Sequence, residues 1–289
     1  MTTANRVWVT ECPRDAMQGI HDFIPTELKI GYLNSLLKAG FDRLDFGSFV
    51  SPKAIPQLSD TREVLQGLDT TSTTRLLAIV ANLRGAEEAS SYEAISLLGY
   101  PFSVSETFQK RNTKSGIAAS FDTVLSIHKT ALNSGKELVV YISMAYGNPY
   151  GDEWNDEVVL NWILKLKNNG ISKIALADTV GLAEAKDVSY LTAAVIREFP
   201  GLEVGAHLHC APTNWREKVE AAFNAGCRHF DSAIKGYGGC PMAKDELVGN
   251  LATENLVQYL KEKNVETLID PAGFNHAVHA SNLVFLPAM

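Results

Sequence analysis

Short apolar runs alternate with amphipathic helical stretches about eight times along this chain, and no other feature limits its fold as tightly. The strand candidates are 7–11, 43–49, 75–80, 94–98, 138–144, 173–177, 202–209 and 229–234. Between them the period changes. Residues 26–39 set Ile30, Leu33, Leu36 and Leu37 on one helical face, and residues 156–169 do so with Val159, Trp162, Ile163 and Leu166, behind an Asp suited to the N-cap. Gly40, Gly135, Gly170 and Gly226 recur where such helices would stop, a place that glycine in the left-handed conformation satisfies, and each precedes the next strand by about three residues.

Strands that alternate with helices pair in parallel through right-handed crossovers, which leaves an open doubly wound sheet or a closed eightfold barrel. The polar residues favour the barrel. Asp15, Asp45 with Ser48, Asn82, Glu106, Tyr141, Asp178, His207 with His209, and Cys240 fall near or just beyond the C-terminal ends of successive strand candidates. In a barrel those ends ring one pocket, whereas in an open sheet they spread along an edge. Residues 11–15 contain no glycine, so the phosphate-binding turn of a dinucleotide fold is absent after the first strand. The expected fold is α/β, a (β/α)8 TIM barrel forming a single catalytic domain over 1–289, with 265–289 as a C-terminal helical extension.

Such a barrel suits 289 residues, and no stretch approaches the roughly 18 uninterrupted apolar residues of a membrane span. Residues 1–6 lack both the apolar core of a secretory signal and the Arg-rich pattern of a transit peptide, which predicts a cytoplasmic protein. Cys12, Cys210, Cys227 and Cys240 have no paired spacing, as fits a reducing compartment. With 33 acidic against 26 basic residues the formal charge is -7, and no run of Lys and Arg offers a stripe for a phosphate backbone, so nucleic acid is not an expected partner. A small anionic molecule remains compatible, because a few local charges or a metal outweigh the mean field inside a cleft.

His207-Leu208-His209 ends the seventh strand candidate, and side chains two apart on a strand point the same way. Both imidazoles can therefore reach one point, where Asp15 from the end of the first strand and Asn250 can join them. Two neutral imidazoles and a carboxylate, with open positions left for substrate oxygens, suit a hard, exchangeable divalent ion, Mg or Mn. Arg14 is either a surface ion pair or, aimed into the barrel mouth, a planar guanidinium for an oxyanion or enolate formed during reaction. Cys240 follows three glycines and precedes Pro241, in either a turn with an incidental thiol or a mobile loop that delivers a proton donor or acceptor. Cys12, Cys210 and Cys227 read as packing residues. Asp45 and Asp178 lie in or just after apolar runs, where a buried carboxylate needs a partner: either an ion pair with Arg14 or a catalytic or supporting role. Tyr141 is a core aromatic whose hydroxyl makes a polar pocket attractive. Gln109-Lys110-Arg111-Asn112 is a solvated charge run or a contact for an anionic ligand.

Taken together, six stretches resemble the 3-hydroxy-3-methylglutaryl-CoA lyase family: Cys12-Pro13-Arg14-Asp15 with Gln18, Ser48-Phe49-Val50-Ser51-Pro52-Lys53 with Pro56-Gln57, Asp178-Thr179-Val180-Gly181, His207-Leu208-His209, Gly236-Tyr237-Gly238-Gly239-Cys240-Pro241, and Gly249-Asn250-Leu251-Ala252-Thr253-Glu254. They run in register across nearly the whole chain. The resemblance implies a TIM barrel, a divalent ion on Asp15, His207, His209 and Asn250, Arg14 as the enolate-stabilising residue and Cys240 as the catalytic thiol. It also implies that Asp45 and Asp178 serve catalysis, and that Gln18, Ser48 and Tyr141 join Arg14 against the substrate. The implied reaction is retro-Claisen cleavage of 3-hydroxy-3-methylglutaryl-CoA, or a close 3-hydroxyacyl-CoA, to acetyl-CoA and acetoacetate, by a homodimer serving leucine degradation. Two alternatives use the same residues. One is a Claisen-condensing acyltransferase joining acetyl-CoA to a 2-oxo acid; the other is a non-catalytic barrel that binds a metal or an acyl-CoA. Three departures from the family pattern bear on the acyl group: Asp45 where Glu is usual, Cys210-Ala211 where Asp-Thr commonly follows the histidines, and the turn from Ala16 to Asp22.

Overall fold

The computed structural model describes residues 6–238 and 248–285. Eight strands form in sequence order: β1 (Trp8–Glu11), β2 (Arg43–Ser48), β3 (Arg75–Ile79), β4 (Ile95–Ser103), β5 (Glu137–Ser143), β6 (Lys173–Asp178), β7 (Glu203–Leu208) and β8 (His229–Ser232). All pair in parallel with their sequence neighbours, and β8 returns to β1 to close the barrel. Between and after them run α1 (Pro13–Gln18), α2 (Thr26–Ala39), α3 (Thr61–Gln66), α4 (Leu83–Ser90), α5 (Glu106–Thr113) and α6 (Ile117–Asn133). The second half adds α7 (Asp156–Asn168), α8 (Ala185–Glu198), α9 (Trp215–Asn224), α10 (Thr253–Glu262) and α11 (Pro271–Phe285).

The period of two along each strand sorts side chains into two cores. Leu77, Ile79, Leu97, Val139, Tyr141 and Ala175 point inward and fill the middle of the barrel, while the alternate residues pack under the helices. Below the apolar plug, Glu203 accepts from Arg43 at 2.7 Å and from Lys173 at 2.6 Å, closing the N-terminal end with charge pairs. The glycine stops behave as their positions require: Gly40, Gly135, Gly170 and Gly226 take φ of 78°, 66°, 89° and 103°.

Most element boundaries shift from the sequence expectation by one or two residues, and three of the differences have a clear physical reason. β4 runs on to Ser103, five residues past the expected end, through Pro101. Pairing with β3 stops at Gly99, so the missing N–H of Pro101 breaks no ladder on that side, while β5 remains in register to Ser143. β7 ends at Leu208, and His209 forms instead an isolated antiparallel bridge with Asn250. The cap of α7 is Asn155, whose side chain accepts from the Val158 N–H at 2.9 Å; Asp156 sits one residue on, in the first turn, where its charge meets the helix dipole. The expected C-terminal extension is helical, as α11. It lies along α2, with Phe274 against Phe41 and Phe285 against Tyr32, both edge-on. Among the described residues no helix is long and apolar enough to cross a membrane.

Candidate functional site

A cavity of ≈ 480 Å³ opens at the C-terminal ends of the strands, walled by residues in or just after β1 through β7. Pro13 opens α1 immediately after β1, because its fixed φ suits a first helical position and its absent N–H is not missed there. That early start places Arg14 and Asp15 in the first turn of a helix, both buried and both lining the cavity. Arg14 grips Asp45 from β2 with two prongs, Nε at 2.9 Å and Nη2 at 2.6 Å from Oδ2. Its Nη1 donates to Asp15 Oδ1 at 2.9 Å and to Gln18 Oε1 at 3.0 Å. A guanidinium has five N–H donors, so one on Nη2 is left without a protein acceptor among the described residues. Burial pushes the Asp45 carboxyl up to about 6, still below neutrality because Arg14 opposes the rise.

Asp15 is the shared corner. Its Oδ1 also accepts from Gln18 Nε2 at 2.9 Å, and its Oδ2 accepts from Asn250 Nδ2 at 2.8 Å. Burial alone would raise this carboxyl, but Arg14, His207 and His209 hold it down at about 2, so it is an anion at neutral pH. One ligand atom each from Asp15, His207 and His209 lie within 4.8 Å of one another. His207 Nδ1 meets Asp231 Oδ2 at 3.1 Å, and Asp231 with Asp15 lifts the imidazole above its ordinary value against the effect of burial. Burial, with His207 close by, lowers His209 to about 4 and keeps it neutral; its Nδ1 is buried with no hydrogen-bond partner among the described residues. An unpartnered imidazole nitrogen, a second imidazole and an ionised carboxylate around one point fit a divalent cation.

Asn250 stands beside Asp15 with its amide nitrogen toward the carboxylate and toward Tyr237 O, at 2.9 Å. Turning the amide over would set its oxygen against these two acceptors, an arrangement that needs a cation close by to offset the repulsion. Gly238, at φ +105°, lets its loop come this close, since a Cβ there would lie 2.5 Å from Asn250 Nδ2 and 2.9 Å from Asp15 O. Tyr141 lines the cavity and meets His207 edge-on at 5.7 Å between centroids. Gln18 lines it too.

Four expected site residues are not in the cavity wall: Asp45 and Asn250 stand behind it, against Arg14 and Asp15, and Ser48 and Asp178 lie farther from the cluster. Ser48 is buried and donates to Ile79 O at 3.3 Å on the neighbouring strand. Asp178 faces outward, because Ala177 and Thr179 take the inward positions at the end of β6. It accepts from Lys218 Nζ of α9 at 2.7 Å, both side chains 1% exposed, and Lys218 also donates to His209 O at 3.0 Å. Of the charge run at 109–112, only Asn112 reaches the cavity; Arg111 stacks on Tyr150, Lys110 pairs with Glu106, and buried Gln109 accepts from Ser103 N. Cys240 lies outside the described residues.

Asp231, Lys218, Lys53 and Lys114 are the participants that residue patterns did not single out as site residues. For Asp231 the available signal was the alternation His229, Asp231 on β8; Lys218 sits on a helix with no motif around it. Among the described residues, Lys53 and Lys114 are the cations that line the cavity besides Arg14.

The sequence profile of the HMGL-like family matches residues 6–284. The hydroxymethylglutaryl-CoA lyase YngG of Bacillus subtilis is 31% identical over 255 residues, covering 88% of this chain and 85% of that protein. The mitochondrial hydroxymethylglutaryl-CoA lyase of Homo sapiens is 32% identical over 267 residues, 92% of this chain and 82% of the other. Among solved structures, an HMG-CoA lyase from Acinetobacter baumannii in complex with coenzyme A and 3-methylmalate superposes with a TM-score of 0.91 at 30% identity, covering 98% of this chain and 92% of its own.

Proposed function

Because this chain belongs to the HMGL-like family, we propose that it is a carbon–carbon lyase that cleaves 3-hydroxy-3-methylglutaryl-CoA, or a close 3-hydroxyacyl-CoA, to acetyl-CoA and, from the former, acetoacetate. One observation carries the chemistry: the cluster of Asp15, His207 and His209 shares the end of a single cavity with Arg14, which keeps one N–H uncommitted. Lys53 and Lys114 on the same cavity suit the phosphates of coenzyme A.

Asp15, His207, His209 and, through its amide oxygen, Asn250 are the residues to hold a divalent ion. When bound, the ion supplies Lewis acidity that eases loss of the proton from the C3 hydroxyl. Asp15 takes that proton, since His207 commits Nδ1 to Asp231 and would commit Nε2 to the ion. The hydroxyl oxygen then becomes the ketone oxygen as the bond between C2 and C3 breaks, and its electron pair passes to the thioester as an enolate. Arg14 offers the enolate oxygen its remaining Nη2 N–H, in a fixed geometry set by Asp45 and by Gln18. Cys240 gives a proton to the enolate carbon, which yields acetyl-CoA. Tyr141 and Gln18 line the cavity beside the cluster, while Ser48 and Asp178 support its wall from behind, through Ile79 O and Lys218.

Oxygen and imidazole donors with open positions favour Mg or Mn. The free, buried Cys12, Cys210 and Cys227 suit a reducing cytoplasm, and likeness to the family supports a homodimer, one catalytic domain over 1–289 and a role in leucine degradation.

The test is incubation of purified, Mg- or Mn-supplied protein with 3-hydroxy-3-methylglutaryl-CoA. Acetyl-CoA and acetoacetate are expected in equal amounts. Free CoA released only from acetyl-CoA with a 2-oxo acid would assign the condensing reaction, and a folded, metal-binding protein inert toward a panel of 3-hydroxyacyl-CoA esters would be a binding barrel.

A further inference from the structure

Asp231 has no part in the chemistry above, yet it makes the hydrogen bond that decides which nitrogen His207 can offer a cation. β7 and β8 pair His207 directly opposite Asp231, so both side chains leave neighbouring strands on the inner face of the barrel. Asp231 is buried, and its Oδ2 lies 3.1 Å from His207 Nδ1. With the Asp231 carboxylate as acceptor of this hydrogen bond, Nδ1 carries the hydrogen, and in the neutral ring the free lone pair is then on Nε2.

His207 stands between two possible donor sets. Besides Asp15 and His209, ligand atoms of Cys12, His207 and Asp231 also lie within 4.8 Å of one another. The second set competes poorly. Burial and the charges of Asp231, Asp45 and Asp15 push the Cys12 thiol well above its ordinary value, and a protonated thiol is a weak ligand; its Sγ faces Thr10 O. Asp231 is thereby left to serve the imidazole rather than an ion of its own.

We propose that Asp231 is a positioning residue, which locks His207 in the Nδ1–H tautomer and fixes the ring so that Nε2 addresses the point shared with Asp15 and His209. A carboxylate behind a ligating imidazole also raises the basicity of the other nitrogen, and loss of such a partner typically weakens metal affinity by about 10–100-fold. The proposal rests on the metal reading of the site, but the tautomer can be observed without any metal.

The experiment uses the full chain labelled with ¹⁵N-histidine, stripped of metal and held at alkaline pH, with the His207 signals assigned by their loss in His207→Ala. Long-range ¹H–¹⁵N correlation should show His207 as the Nδ1–H tautomer, and Asp231→Ala should abolish that preference. Titration of stripped protein with Mn²⁺ should give an affinity weaker by about 10–100-fold for Asp231→Ala, with partial recovery in Asp231→Asn, which keeps an acceptor oxygen. An Nε2–H tautomer in the unaltered protein overturns the proposal whether or not any variant folds. So does a folded Asp231→Ala that binds Mn²⁺ as tightly as the parent, since a purely structural carboxylate would lower only the melting temperature. Failure of the unaltered protein to bind Mn²⁺ would sink the metal reading instead, and the spectrum would still decide the tautomer.

Discussion

Arg14 directs four of its five N–H groups at Asp45, Asp15 and Gln18, and the account of catalysis depends on the fifth. Arg14→Met removes that donor and leaves the metal-binding side chains in place. The expected result is a fall in kcat of about 10²–10³-fold or more with Mn²⁺ binding retained, measured by steady-state kinetics beside a metal titration. Cys240→Ser should lose kcat on the same scale, with KM little changed; near-normal turnover would remove the thiol from the reaction. Glu11 gives a residue-scale test of stability. Burial pushes its carboxyl up to about 8, against the Thr253 hydroxyl and the Ile234 N–H that pull it back. Between about 4.5 and 8 the folded protein keeps a proton that the unfolded chain has released, so stability falls as pH rises through that window and levels off above it. The loss is on the order of 3–5 kcal/mol, and Glu11→Gln should flatten the slope of unfolding free energy against pH. An unchanged slope would contradict this origin. At this scale the sequence is legible where chemistry is local. His207 and His209 share a strand face by spacing alone, and Arg14 and Asp15 are adjacent. Asp178 was not legible in the same way, because one residue of strand parity separates the cavity from the helix layer, and Thr179 holds the inward place.

The elements bring these residues together through contacts that no pattern announces. Lys218 on α9 joins Asp178 at the end of β6 to the backbone oxygen of His209 after β7, a buried strut behind one of the two imidazoles. Removing one partner leaves a buried charge alone, so Lys218→Met should cost about 3–5 kcal/mol in denaturant unfolding. The double variant Asp178→Leu with Lys218→Met, which removes both charges, should recover most of that loss. Equal cost in the single and the double variants would mean that packing, not charge, dominates the site. Helix ends were readable because Gly40, Gly135, Gly170 and Gly226 each demand one backbone conformation. Strand ends were less so. β4 continues through Gly99 and Pro101, which look like breakers in isolation, because the neighbour that would need the proline N–H has already stopped.

For the whole molecule, the alternation of strand and helix dictates the parallel sheet, and the ring of polar residues at the strand ends anticipates closure, which the β1–β8 pairing completes. Closure is what turns residues as far apart as Asp15 and His209 into one site. Asn250 reaches the site by a separate route, through the isolated bridge to His209 from a segment after the barrel's last strand. The most direct test of the central claim is turnover of 3-hydroxy-3-methylglutaryl-CoA by chelator-stripped protein as Mg²⁺ or Mn²⁺ is added back. The account predicts no acetyl-CoA from stripped protein, a rise to a plateau as the ion is restored, and no recovery in His207→Ala with His209→Ala. Undiminished acetyl-CoA formation in the presence of chelator would contradict it.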